Sequence, residues 1–367
     1  MTGTSSFLET PDGNAVVYCE GAFLAPSGKT AHGLVRFTKR YRVASVIDST
    51  SAGRDAAALL GVEREPVPIL ASLSEALAVA DDMGLAASHF VVGLAPDGGR
   101  LEPGSRSHII EAIGRGLHVD CGLHDYLTDD EEIVGLARSR NVRIRDVRKS
   151  PPVKDLHFFS GKIEDVESLR IAVLGTDSAL GKRTAATILT NHYESKGFSP
   201  VMIGTGQTAW MQGVRYGIVL DSLVNDFVSG EIEHVVWSAW NEQRPDRIFL
   251  EGQGSLLNPA YPGGFEILAA ARPHGIVLQH APARKEYDGF PGYPIQPLIT
   301  QIEALQIVSG KPVVALSINH ENIPRDRLDA VCREIEEETA LPAVDVLIHG
   351  PDHIMRAIEA LAVRASR

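Results

Sequence analysis

Cysteine is scarce. Cys19, Cys121 and Cys332 are the only three in 367 residues, too few and too scattered for a disulfide framework or a zinc site. Basic charge is also in deficit, with 35 Lys and Arg against 47 Asp and Glu and a formal charge of −12. A chain of that sign lacks the basic surface that sequence-independent nucleic-acid binding requires, so no nucleic-acid partner is expected. No apolar run approaches the roughly 20 residues needed to span a bilayer, and no membrane partner is expected. The opening MTGTSSFLETPDG lacks the basic-then-apolar order of a signal peptide, and the cytoplasm is the expected location. Internal repeats and low-complexity segments are absent too. What is present is the composition of a folded globular chain, 44% hydrophobic and 22% charged. Its length exceeds the size at which one core usually keeps growing, which makes two domains the default.

Both halves alternate apolar strands with helical periodicity, the pattern of parallel α/β sheets. In the first half, 14–18, 43–48, 89–93, 116–120 and 142–146 read as strands, and 72–83, 105–115 and 129–138 as helices. Polar or glycine-rich tips follow several of these strands, at Asp48–Asp55, Gly93–Gly99 and Cys121–Asp125. Ligands of open parallel sheets lie at such carboxyl ends, although Gly, Asp and Ser are also ordinary turn residues. The proline-containing stretch from Lys149 to Glu167 marks the boundary. The organisation expected is an α/β domain over 1–150, a linker over 151–170 and a second α/β domain over 171–367. In the second half, 199–203, 247–250, 275–279, 312–318 and 344–348 read as strands, and 182–196, 216–236, 297–309 and 325–339 as helices.

The most informative stretch is Gly175-Thr176-Asp177-Ser178-Ala179-Leu180-Gly181-Lys182-Arg183-Thr184, placed directly after the apolar run Ile171–Leu174. A buried strand, a glycine-rich turn and a helix start aim backbone N–H groups and a lysine at a phosphate, where the helix dipole also favours negative charge. The common phosphate loop has four residues between its glycines and then Lys and Ser/Thr in succession. Here five residues separate Gly175 from Gly181, Arg183 stands where the magnesium-binding hydroxyl is usual, and Thr184 comes one place late.

Two further clusters follow apolar strands. Glu251-Gly252-Gln253-Gly254-Ser255 puts an acid at a strand tip, a place from which it can hold magnesium beside a phosphate loop. Thr205, Gln207 and Thr208, with Trp210 close by, offer uncharged hydrogen bonds and an apolar wall, read either as a substrate subsite or as a turn with a core tryptophan. Gln253 and Ser255 complete the expected subsite. Asp221 and Asp226 differ by five positions and do not share a helical face. His280 to Lys285 reads as a basic surface loop or, with Arg284 and Lys285, as another phosphate or carboxylate contact, and Gly289–Pro294 as a rigid loop over a site. Asn319-His320-Glu321 ends the 312–318 strand, a place that contacts the base in nucleotide-binding relatives.

Residues 171–260 resemble the dethiobiotin synthetase branch of P-loop enzymes, in which the five-residue spacing between glycines is usual. That resemblance implies contact of Lys182 with phosphate oxygens and places Asp177 and Glu251 near a metal-nucleotide. Over nearly the whole chain, the phosphate-loop decamer, Thr205-Gly206-Gln207-Thr208, Asp226–Gly230 and Glu251–Leu256 together resemble a bacterial and archaeal family long catalogued as a domain of unknown function. That family pairs a Rossmann-like first half with a P-loop second half, and its members include D-glutamate N-acetyltransferases. It also lacks a hydroxyl directly after the lysine. The segments Gly28–Leu34 and Asp48–Asp55 depart from those acetyltransferases, which bears on substrate more than on fold.

The expectation is a homo-oligomeric enzyme acting on a small amino acid. In one reading it moves acetyl from acetyl-CoA to D-glutamate or a similar amine. Gly175, Thr176, Ser178, Gly181, Lys182, Arg183 and Thr184 would then hold donor phosphates, and Glu251, Asp177 and Lys182 would serve catalysis, with His124 a further candidate base. Arg183, Arg36, Arg54 or Lys29 would clamp a substrate carboxylate. In another reading it is an ATP-dependent ligase or kinase that activates a carboxylate or carbamate, with Mg²⁺ held by Thr184, Asp177 or Glu251. A third is a nucleotide-binding regulator without turnover.

Overall fold

The fold was analysed in a computed structural model, which describes Ser6–Ala365. The chain divides into two compact units, each described by itself. One comprises Phe7–Pro151 with Gly206–Val214; the other comprises Ser6, Pro152–Thr205 and everything from Arg215 onward.

The first unit is a six-stranded parallel sheet in the order β3-β2-β1-β4-β5-β6. Its strands are β1 (Gly13–Tyr18), β2 (Tyr41–Ile47), β3 (Ile69–Leu70), β4 (His89–Val92), β5 (His118–Cys121) and β6 (Ile144–Asp146). Helices α1 (Lys29–Arg36), α2 (Ala56–Leu59), α3 (Leu73–Asp82), α4 (Pro103–Gly114) and α5 (Glu131–Ser139) form the crossovers. This is the doubly wound Rossmann-like order, which reverses direction between β1 and β4. A pocket of about 360 Å³ opens at that switch point, lined by Tyr18, Ser27, Ser105 and His108 among others. Strand β3 and helix α1 were not foreseen. Two residues are too few to show alternation, and Gly33 interrupts the helical pattern of 29–36.

The second unit is a seven-stranded parallel sheet in the order β13-β12-β11-β7-β10-β8-β9. Its strands are β7 (Leu169–Gly175), β8 (Pro200–Gly204), β9 (Tyr216–Gly217), β10 (Arg247–Glu251), β11 (Gly275–His280), β12 (Val313–Ile318) and β13 (Ala343–Val344). Helix α6 (Lys182–Ser195) follows β7, and α7 (Gln207–Met211) belongs to the first unit. The remaining helices are α8 (Asn225–Gln243), α9 (Phe265–Ala271), α10 (Leu298–Ser309), α11 (Leu328–Thr339) and α12 (Asp352–Ala365). Strand β7 is buried along its whole length, as its unbroken apolar run demands of a central parallel strand.

Three expectations need correction. The stretch 216–236 is not one helix: Tyr216–Gly217 pairs with β8, Asp221 lies in a short 3-10 turn, and Asp226 lies in the first turn of α8. The segment expected as a linker packs on α8 within the second unit. The buried Glu233 accepts from Ser160 N (2.6 Å) and Ile163 N (3.2 Å), and the His157 ring stacks on His234 at 3.4 Å. Finally, Gly206–Val214 leaves the second unit for the first, where α7 buries Met211 in the core. Trp210 lies there beneath the guanidinium groups of Arg40 (3.7 Å) and Arg145 (4.8 Å).

Candidate functional site

Strand β7 runs into the phosphate loop at the centre of its sheet, flanked by β10 and β11. Register pairs Gly175 with Gln279 of β11 and Val173 with Glu251 of β10. The three carboxyl ends therefore meet at one level, where ligands of open α/β sheets bind.

Gly175 is required sterically. A Cβ there would sit 2.9 Å from Lys182 Cδ and 3.2 Å from the Asp177 carbonyl oxygen. Without it, the lysine folds back along the loop and its Nζ donates to Asp177 O at 2.7 Å. Gly181 precedes α6 in the left-handed region at φ +94°, which glycine enters without strain. No side chain caps α6, so its first N–H groups and positive dipole end point into the loop.

Asp177 is fully buried and binds protein on both oxygens. Its Oδ1 accepts from Ser178 N (2.7 Å) and Asn258 Nδ2 (2.8 Å). Its Oδ2 accepts from Arg284 Nη1 (2.9 Å) and Asp288 N (2.9 Å). Four donors match the acceptor capacity of a carboxylate, and the geometry makes Asp177 the residue that ties two other segments, at Asn258 and at Arg284–Asp288, to the loop. Arg284 also donates to Ser178 O (2.9 Å) and Glu321 Oε2 (2.5 Å). Burial works against its charge, and the bonds to Asp177 and Glu321 outweigh it, leaving its pKa raised. The loop expected to be a basic surface feature is thus bonded to the phosphate loop. Asn319 Nδ2 holds Leu180 O at 2.9 Å.

At the end of β10, Glu251 is buried, and its Oε2 accepts from Thr205 N at 2.9 Å. Thr205 Oγ1 donates to Glu251 O (2.9 Å) and accepts from Gln253 Nε2 (2.9 Å). Glu251, Thr205 and Gln253 therefore form one network beside the loop. The Oγ of Ser255 is buried without a partner. Gly252 permits this packing, since a Cβ there would lie 2.5 Å from Val173 O. Arg183 is partly buried, and its Nε is sealed from solvent with no hydrogen-bond acceptor. Burial pushes its guanidinium pKa down, and the nearby Glu251 carboxylate opposes that shift.

At the end of β11, Thr176 Oγ1 lies 3.0 Å from His280 Nδ1, and Thr176 N donates to Gln279 O at 3.0 Å. Burial pushes the His280 pKa down to about 4, with Lys285 adding to the shift, so its imidazole is neutral at pH 7. The other expected subsite residues belong to the first unit. Thr208 Oγ1 meets Thr30 Oγ1 at 2.9 Å, and Gln207 packs over Gly122, where a Cβ would approach its Cγ to 2.8 Å. Lys29, Arg36, Arg54 and His124 lie in that unit as well. Asn258 and Asp288 escaped the sequence reading. The Asn258-Pro259 pair after the glycine cluster and the Asp288-Gly289 pair were the local turn signals there.

Residues 157–355 match a domain of unknown function described as the DUF1611_C P-loop domain, and residues 49–150 match the DUF1611_N Rossmann-like domain. The chain belongs to the DUF1611 family. A DUF1611 family protein from Anabaena variabilis, solved crystallographically, shares 26% identity. It superimposes with a TM-score of 0.87 over 95% of this chain and 100% of its own. A D-glutamate N-acetyltransferase of Pseudoalteromonas is 30% identical over 278 residues, covering 74% of this chain and 81% of the relative. Another, from Tritonibacter scottomollicae, is 26% identical over 285 residues, with 75% and 82% covered. A DUF1611 chain with a P-loop domain carries the architecture for binding a phosphorylated ligand. Among the described residues no helix is long and apolar enough to cross a membrane.

Proposed function

We propose that this DUF1611 protein is an N-acetyltransferase that moves acetyl from acetyl-CoA to the amine of D-glutamate or a similar small amino acid. In this reading the β7–α6 loop holds the donor's phosphates. The observation that carries the proposal is the phosphate loop itself, with adjacent cations at Lys182 and Arg183, in a chain that matches two D-glutamate N-acetyltransferases over three quarters of its length.

Coenzyme A offers a pyrophosphate and a 3′-phosphate, and either suits a cradle of N–H groups, one lysine and one arginine. In the transfer, the free amine attacks the thioester carbonyl, the new C–N bond forms, and the C–S bond breaks to release the thiolate. One proton must leave the nitrogen and one must reach the sulfur. The Glu251 carboxylate and the neutral His280 imidazole are two bases at strand ends of this unit. Thr205, Gln253 and Ser255 supply uncharged hydrogen bonds there for the acceptor.

Incubating the protein with acetyl-CoA and D-glutamate tests this. Thiol release that depends on the amino acid, with N-acetylglutamate as product by mass, is expected. Thiol release that ignores the amino acid overturns it. A second reading, an ATP-dependent ligase or kinase, is favoured by one observation: Glu251 stands at a strand tip beside the phosphate-loop strand, where acids of such enzymes serve the metal-nucleotide. ADP formation that requires a carboxylate or carbamate substrate would select it.

A further inference from the structure

A phosphate loop ordinarily brings magnesium to its ligand through the hydroxyl that follows the lysine and through an acid on a neighbouring strand. The residues here do not fit that ion. Arg183 replaces the hydroxyl. Thr184, the next hydroxyl, is turned about 100° further round the helix. Both oxygens of Asp177 are taken by four protein donors. Glu251 receives Thr205 N, and its charge acts on Arg183.

We infer that Arg183 takes the place of the divalent cation, so that this loop binds the pyrophosphate of its ligand without metal. The inference rests on the phosphate-loop reading above and narrows it to a class of ligand. Three features place the guanidinium in that role. Its side chain is partly exposed and its Nε has no acceptor in the protein, so the exposed part of the guanidinium keeps donor capacity that phosphate oxygens would take up. It follows directly on Lys182 at the uncapped start of α6, where N–H groups already favour an anion. Glu251 shares a sheet face with Phe249, two residues earlier on β10. The Phe249 ring packs against Tyr193 of α6 at 5.1 Å, so the acid lies on the α6 side of the sheet. A planar, permanently charged fork suits paired phosphate oxygens, whereas a dication beside two fixed cations would be repelled.

Calorimetric titration of the full-length protein with coenzyme A and with inorganic pyrophosphate, each in excess EDTA and in excess Mg²⁺, tests the inference. The wild type is expected to hold each probe with a Kd that changes by less than about twofold between the two conditions. Arg183→Ala is expected to weaken both at least about tenfold in EDTA, the loss typical of a charge-assisted contact. Arg183→Ser, which returns the usual hydroxyl, is expected to recover binding only when Mg²⁺ is present. Binding by the wild type that collapses tenfold or more in EDTA overturns the inference while leaving the phosphate loop intact. Undiminished binding by Arg183→Ala in EDTA overturns the role of Arg183. Failure of both probes in both conditions removes the phosphate-loop reading and the inference with it. The wild-type comparison stands even where a variant fails to fold.

Discussion

Both units end their parallel strands in polar residues, and they use them differently. In the Rossmann-like unit the strand-end acids close backbone turns, their own and those of neighbouring segments. Asp48 accepts from Gly21 N, Phe23 N and Thr50 N at 3.0–3.1 Å, and Asp55 accepts from Ala57 N (2.9 Å) and Val67 N (2.8 Å). Even in the pocket at its switch point, Tyr18 OH is paired with His108 Nδ1 at 3.1 Å. In the P-loop unit, polar groups from four strand ends converge on one loop. After they have bonded to one another, Arg183 Nε and Ser255 Oγ remain unsatisfied. A polar strand tip therefore says little by itself. Leftover polar capacity does not separate the two units either, since Ser51 Oγ at the Asp48–Asp55 tip is also buried without a partner. What marks the candidate site is the convergence of several strand ends, with Lys182 and Arg183, on one loop.

The largest effect expected from breaking this contrast is at Asp177. Asp177→Ala leaves Arg284 partly buried with one carboxylate fewer and removes the tie among three segments. A loss of about 3–5 kcal/mol is expected, the range for breaking a buried charge pair, read as a lower urea midpoint. If Asp177 served catalysis alone, the same change would abolish activity at unchanged stability. Next is Lys182→Ala, expected to weaken coenzyme A binding about 100-fold, by calorimetry, while the urea midpoint moves less than for Asp177→Ala. Full affinity in that variant would remove the lysine from the site. In the other unit, Asp48→Ala is expected to cost about 2 kcal/mol, as for a lost cap, and to leave coenzyme A affinity unchanged.

The smallest effect expected is a pH dependence. The native state holds His280 neutral, with a pKa of about 4 against the usual 6.5. Between those values the unfolded chain binds the additional proton, so stability falls as pH drops from 6.5 towards 4. His274 in the same unit and His89 in the other are also held near 4 by burial. His280→Gln should therefore remove only part of the slope of urea midpoint against pH. An unchanged slope would mean that His280 protonates alike in both states.

Much of the architecture was legible because it is written locally. The run Ile171–Leu174 followed by a glycine-rich turn specifies strand, loop and helix within fifteen residues, and β7 and α6 fall there. The apolar pattern of Val219–Val224 carried the helical reading across a segment where the chain pairs with β8 and turns before α8 begins. The fastening of the loop was beyond local reading. Asn258, Arg284 and Asp288 reach Asp177 from 81, 107 and 111 residues away, and sequence spacing carries no trace of such contacts. The departure of Gln207 and Thr208 to the other unit was hidden for the same reason: their strand-end position is shared with Thr205, which stays behind.

The most direct test is calorimetric titration of the purified protein with acetyl-CoA and, separately, with Mg-ATP, in wild type and Lys182→Ala. Acetyl transfer from a donor seated on the phosphate loop predicts that acetyl-CoA binds the wild type, that Lys182→Ala loses it, and that Mg-ATP binds at least tenfold more weakly. Tight binding of Mg-ATP with no response to acetyl-CoA would contradict it and leave the ligase or kinase reading in its place.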